Sequence, residues 1–121
     1  MNTFIAVFIG GGAGSVTRFL MSRIITSNFQ NINPVATLVS NLISTLLLGV
    51  IIFLSVEKIE LSSNIKALLI VGFCGGFSTF STFSYEIFEL IRTGNMWMAI
   101  LNLLISVGVS VGVLFLLSKS L

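Results

Sequence analysis

Four apolar stretches, each as long as a bilayer is thick once coiled into a helix, constrain this chain more than any other feature. They run from about Thr3 to Ile25, Val35 to Val56, Lys66 to Ile91 and Met96 to Leu117. As a helix, Val35–Val56 rises by roughly 33 Å, against a hydrocarbon core of about 30 Å. Short polar breaks separate the stretches. Thr26–Pro34 is rich in asparagine and ends in the only proline, Glu57–Asn64 carries three charges, and Arg92–Asn95 has the look of a tight turn at Gly94. The first stretch lacks a basic leader and three more follow it, so it reads as a first span rather than a signal peptide. The expectation is an all-α membrane protein, with residues 1–121 forming a single four-helix transmembrane domain.

Composition narrows the function. Charged residues make up 8% of the chain, where a soluble domain carries about 25%. No stretch has a polar face wide enough to meet water, which excludes a soluble bundle and makes membrane lipid the expected surroundings. The net charge of +2 is scattered, giving no footprint for nucleic acid. A lone Cys74 and the absence of histidine exclude an intrachain disulfide and a Cys/His metal site. The carboxylates Glu57, Glu60, Glu86 and Glu89 form no acid–base pair on one obvious face, so no enzyme is expected.

Basic residues orient membrane proteins by their imbalance across the bilayer. With both termini on one side, that side receives Lys58, Lys66 and Lys119, and the other receives Arg18, Arg23 and Arg92. Three against three gives no preferred orientation and predicts dual topology, with copies inserted both ways pairing antiparallel. Four helices also leave little room to enclose a pathway in one subunit. Gly10 and Gly14, four apart within a glycine-rich run, offer a small-residue face for helix packing, either within the subunit or between subunits.

The third stretch carries the chemistry. From Phe77 it repeats Phe-Ser-Thr, Phe-Ser-Thr, Phe-Ser-Tyr, after the pair Gly75-Gly76. A period of three drifts around a helix of 3.6 residues per turn, and the glycine pair weakens the helix just before it. A break near mid-membrane is predicted. Broken membrane helices are tolerated around protein-lined or watery cavities, where their freed dipoles meet ions. Asn41, inside the second stretch, brings an amide with two donors and an acceptor; it suits either an ion path or a helix–helix hydrogen bond.

The segment Gly75-Gly76-Phe77-Ser78-Thr79-Phe80-Ser81-Thr82-Phe83-Ser84, followed by Glu86, closely resembles the third-helix signature of the Fluc (CrcB-like) fluoride channels. Thr37-Leu38-Val39-Ser40-Asn41 is similar to that family's second-helix motif, and Gly10-Gly11 with Gly14 and Arg18-Phe19 to its first. The likeness covers all four spans in order. It implies an antiparallel dual-topology homodimer in the cell membrane with two fluoride pores and a structural Na⁺ at the dimer centre, held by the backbone carbonyls of Gly75 and Ser78. It further implies that Asn41, Phe80 and Phe83 line the pore and that Ser81 and Thr82 belong to a polar track. Glu86 would lie near an entrance and Arg18 near an aqueous vestibule. Two positions depart: Ala36 stands where the family commonly has glycine, and Asn102 with Ser106 occupy fourth-span positions whose pore role the likeness leaves open.

Fluoride holds its water tightly, so a selective pore must replace hydration with strong donors. Asn41 and the hydroxyls of Thr79, Ser81 and Thr82 supply them. Ring edges of Phe80 and Phe83 carry partial positive charge and their bulk excludes larger halides. Nothing in the sequence suggests ATP or proton coupling, so the expected activity is passive export protecting the cell from fluoride toxicity. A small dual-topology multidrug transporter fits the size, but it needs a carboxylate buried in the first span, and Thr3–Ile25 contains none. Dual topology makes a direct prediction. C-terminal tags should appear on both membrane faces in comparable amounts, and adding two or three C-terminal lysines should bias the distribution and lower activity. A single-sided tag on the native chain would overturn the charge argument.

Overall fold

The computed structural model describes residues 2–28, 33–57 and 60–120. Residues 29–32 of the asparagine-rich connection, and Lys58, lie outside them. Helix α1 is Thr3–Asn28 and α2 is Asn33–Glu57. The third span opens with α3, Ser63–Lys66, continues as a π-helix over Ala67–Cys74 and returns to α-helix in α4, Gly75–Phe77. It resumes as α5, Ser81–Arg92, and α6, Met96–Ser120, completes the chain. Four segments have the length and apolarity to cross a membrane: Thr3–Thr26, Pro34–Val56, Ser63–Arg92 and Met96–Lys119.

The third span starts earlier than its hydropathy alone indicates, because Ser62 caps it: the Ile65 N–H donates to Ser62 Oγ at 3.3 Å. Its far end closes at Gly94, whose φ of 87° suits a residue without a Cβ, and the chain turns directly into α6. The π-helix was not legible in the sequence. It widens the turn by one residue per hydrogen bond, and the Gly75 N–H reaches back to the Ile70 carbonyl at its exit. Such segments are rare and often mark functional regions.

Helix α1 packs along the π-helix and α4, α2 packs on α6, and α5 lies against α2 and α6. The α1 seam is backbone against backbone. A Cβ added to Gly72 would stand 2.9 Å from Gly10 Cα, and one added to Gly76 would stand 2.5 Å from the Gly11 carbonyl oxygen. Hypothetical Cβ atoms at Gly10 and Gly14 would run into the carbonyls of Leu68 and Phe73. The small-residue face of α1 therefore works within the subunit.

Polarity is inverted relative to a soluble protein. Phe4 and Phe8 are 85% and 81% exposed, whereas Thr37, Ser40, Ser44, Asn102 and Ser106 are buried. Hydrocarbon outside is as apolar as any side chain, so tight packing and internal hydrogen bonds hold the bundle together rather than apolar burial. This seam gives a paired test. Gly14→Ala should lower the thermal stability of the purified protein by about 1–3 kcal/mol through overpacking. Gly12→Ala, where nothing lies within 4 Å of the new methyl, should leave it unchanged.

Candidate functional site

Between Phe77 and Ser81 the helix pauses. Ser78 is extended, with φ −87° and ψ 160°, and the backbone there finds partners on other helices. The Asn41 amide of α2 pairs with the Thr79 peptide at both ends: the Thr79 N–H donates to Asn41 Oδ1 at 2.8 Å, and Asn41 Nδ2 donates to the Thr79 carbonyl at 3.2 Å. Arg18 of α1 donates from Nε to the Gly76 carbonyl at 3.1 Å. The Cys74 carbonyl accepts three hydrogen bonds, from Ser44 Oγ at 2.8 Å, Ser78 Oγ at 2.9 Å and the Ser78 N–H at 3.1 Å. Two elements, α1 and α2, thus grip residues 74–79 from outside the third span.

These bonds redirect two donors. In an unbroken helix the Thr79 N–H would go to the Gly75 carbonyl and the Thr82 N–H to the Ser78 carbonyl. Here the first goes to Asn41, and the second to Thr79 Oγ1 at 3.3 Å. The Gly75 and Ser78 carbonyls are thereby relieved of their helical donors. Both residues line a cavity of about 210 Å³ with Ser44, Thr45, Leu48, Ile70 and Cys74. Among the described residues no group of three or more His, Cys, Asp or Glu side chains is placed to hold a metal. Peptide carbonyls are hard oxygen donors that suit a hard cation such as Na⁺. Two residues with such carbonyls, Gly75 and Ser78, line this cavity.

A second cavity, of about 350 Å³, shares Thr45 and Ser78 with the first. Asn41, Thr45, Ser78, Thr79, Phe80 and Phe83 line it together with Ser106 and Ser110 of α6. The rings of Phe80 and Phe83 are 6.3 Å apart and inclined by 47°. They differ in setting: Phe83 is buried, whereas Phe80 is 80% exposed on the subunit surface. Phe80 lies at the start of α5, where Thr79 Oγ1 accepts from the Thr82 N–H of the first turn, so the positive end of the α5 dipole lies beside this cavity. Ser81 is exposed, with its Oγ 3.5 Å from Thr79 Oγ1.

Thr82 is separate from that cavity. It lines an open recess of about 330 Å³ with Arg18, Arg23, Thr37, Ser40 and Glu86, and a neighbouring recess of about 590 Å³ with Tyr85, Glu86 and Glu89. Thr37 Oγ1 donates to Glu86 Oε2 at 2.9 Å. Ser40 Oγ and Glu86 Oε1 are buried without a hydrogen-bond partner among the described residues. Apart from Ser81, which lines none of them, the expected site residues thus fall into three places: the Gly75/Ser78 cavity, the phenylalanine cavity and the charged recess. Residues to which no role was assigned in advance join them, Thr37 and Ser40 having been quoted only within the second-helix motif. Thr37, Ser40, Ser44 and Thr45 share a face of α2 with Asn41, and Ser110 continues the Asn102–Ser106 face of α6. The signal was present as spacings of three, four, seven and eight residues, masked by the apolar residues between.

The amino-acid sequence was compared with those of known proteins. A family profile described as "CrcB-like protein, Camphor Resistance (CrcB)" matches residues 5–117. This chain belongs to the CrcB-like family. Similar relatives include proteins named "Fluoride-specific ion channel FluC" from three organisms. The one from Azobacteroides pseudotrichonymphae is 44% identical over 84% of this chain and 81% of its own length. That from Shewanella halifaxensis is 40% identical over 96% and 93%, and that from Pyrococcus horikoshii 39% over 91% and 88%. The CrcB-like relatives carry the names of channels, a transport class rather than an enzyme class. With four spans of membrane length, this CrcB-like chain is a multi-pass membrane protein.

The grip on the pause can be measured. Asn41→Leu strips both ends of the Thr79 peptide of their partner and should cost about 2 kcal/mol of thermal stability; Ser44→Ala leaves the Cys74 carbonyl two other donors and should cost less than about 1 kcal/mol. Equal losses would mean that the Asn41 pairing is not the principal support.

Proposed function

We propose that this chain is half of an antiparallel homodimeric channel that lets fluoride leave the cell passively. The supporting observation is the cavity of about 350 Å³ beside the pause, where an amide, several hydroxyls and two aromatic rings converge, in a chain about 40% identical to proteins named as fluoride-specific channels. In this reading the pause at Ser78–Phe80 lies near the membrane midplane and each dimer contains two pores.

The chemistry follows from the donors. Asn41 Nδ2 has a second N–H beyond the one given to Thr79, and Thr79 brings a hydroxyl to the cavity, with Ser81 Oγ beside it and Thr82 in the charged recess. The N-terminal end of the α5 dipole adds positive potential without a fixed cation. Ring edges of Phe80 and Phe83 attract a small anion, and their bulk disfavours a larger one. Phe80, exposed on one subunit, would complete its cage against the partner copy. Weak donors at several sites let an ion enter and leave, which conduction requires. Arg18 and Glu86 sit at the vestibule, where Arg18 supplies attraction. A membrane potential of 100 mV, inside negative, is worth about 2.3 kcal/mol per charge in favour of efflux.

The Gly75 and Ser78 carbonyls of two subunits would meet at the dimer centre, where Na⁺, when bound, neutralises four converging dipoles. In this chain Asn41 and Thr79 Oγ1 prepare the site by withdrawing the two helical donors.

Fluoride efflux from liposomes loaded with purified protein tests the proposal, and wild-type liposomes that retain fluoride would overturn it. Phe80→Ile and Phe83→Ile should each lower flux per folded dimer by about ten-fold or more, a loss of roughly 1.4 kcal/mol in barrier terms. Normal flux with poor folding would instead assign the rings to packing.

A further inference from the structure

The α6 residues Asn102 and Ser106 form a pair that the channel reading does not yet use. They lie one helical turn apart, and both are more than nine-tenths buried, at 8% and 7% exposure. Ser106 Oγ donates to Asn102 Oδ1 at 3.0 Å. The other end of the amide, Nδ2, is buried with no hydrogen-bond partner among the described residues. The two side chains face different spaces. Ser106 lines the cavity shared with Asn41, Phe80 and Phe83. Asn102 borders a smaller cavity of about 160 Å³ whose other walls are Pro34 and the apolar side chains of Val35, Leu38, Leu90, Met98, Leu101 and Ile105.

This arrangement is electrostatically one-sided. A serine hydroxyl has one proton, and here that proton is committed to Asn102, so Ser106 presents lone pairs to the cavity of the phenylalanines. Lone pairs repel an anion. Meanwhile the amide leaves an N–H unpaired in apolar surroundings, and orphaned N–H groups are rarer in proteins than under-used carbonyls. A half-turn of the amide corrects both faults. Nδ2 then donates to Ser106 Oγ, the serine proton is released into the cavity, and the amide oxygen takes the apolar side.

We propose that Asn102 is a positioning residue whose amide, by turning over, sets whether Ser106 offers the ion path a lone pair or a proton. In the carbonyl-to-serine orientation described here, the proton is held back from the cavity. An arriving anion draws the proton forward and the amide turns to support it. No proton is transferred and no bond to a heavy atom is broken; hydrogen bonds alone are exchanged. The inference rests on the reading of that cavity as an anion path.

The experiment combines flux with stability. Purified wild type, Asn102→Leu, Ser106→Ala and the double variant are compared for fluoride efflux from liposomes, normalised to folded protein, and for melting temperature in detergent. Asn102→Leu nearly conserves volume and removes an unpaired amide, so its melting temperature should equal or exceed that of wild type. Its flux should nevertheless fall about ten-fold, because Ser106 then turns its proton to the backbone carbonyl four residues back. Ser106→Ala should fall by a similar factor, and the double variant should fall no further, whereas independent roles would multiply to about a hundred-fold. Asn102→Gln keeps the amide and has room for one more methylene in the adjoining cavity, so it should hold flux within about three-fold of wild type. Multiplying losses, silent single variants, a Gln variant as inactive as Leu, or flux and melting temperature falling together would each overturn the role of Asn102. Wild-type liposomes that pass no fluoride would overturn the channel reading itself.

Discussion

A helix interrupted inside a bilayer survives only if every peptide group released by the interruption finds another partner. In this chain the requirement is met chiefly by one side chain. The Asn41 amide matches the Thr79 peptide donor for acceptor and acceptor for donor, replacing what the helix gives up. Arg18 holds the Gly76 carbonyl from the opposite side and Ser44 joins the cluster on Cys74. Without such partners each stranded group would face hydrocarbon at a cost of several kcal/mol, and the third span would close into a continuous helix. Both cavities beside the pause depend on its staying open.

The remaining packing serves that arrangement. Arg18 reaches Gly76 because α1 lies against the third span with no side chains between them at Gly10, Gly14, Gly72 and Gly76. The π-helix before the pause belongs to the same adjustment, since its wider turn carries the chain past α1 and delivers Cys74 to Ser44. The polar residues lie inside and the phenylalanines of α1 outside. In lipid this is the stable order, because internal hydrogen bonds have no competitor and apolar side chains lose nothing by exposure.

The candidate site was partly legible beforehand. The glycine pair and the Phe-Ser-Thr repeat gave away the unusual segment because their period disagrees with that of a helix. Asn41 stood out as a polar residue inside an apolar stretch, and Arg18 and Glu86 through the family resemblance. Thr37 and Ser40 were noticed only within the second-helix motif and Ser44 and Ser110 not at all, since an isolated hydroxyl in a membrane helix can bond back to its own carbonyls, as Thr45 does to Asn41 at 2.9 Å. Which hydroxyl reaches across to a neighbour depends on how the helices are rotated. Asn102 was visible as a polar residue, but its unpaired N–H and its link to Ser106 became apparent only once the surrounding walls were in place.

The sequence by itself determined the number of spans, the all-helical class, the turn at Gly94 and the stretch where the third helix would be weak. Each of these follows from local properties: apolar length, backbone freedom at glycine, and a repeat out of step with 3.6 residues. Tertiary structure decided that the glycines of α1 act within the subunit, that the third span passes through a π-helix, and that the Gly75 and Ser78 carbonyls lose their helical donors. These outcomes turn on which of several available hydrogen bonds is made. That choice belongs to the helix that lies alongside, because a peptide group leaves its own helix only when a better-placed partner is already there.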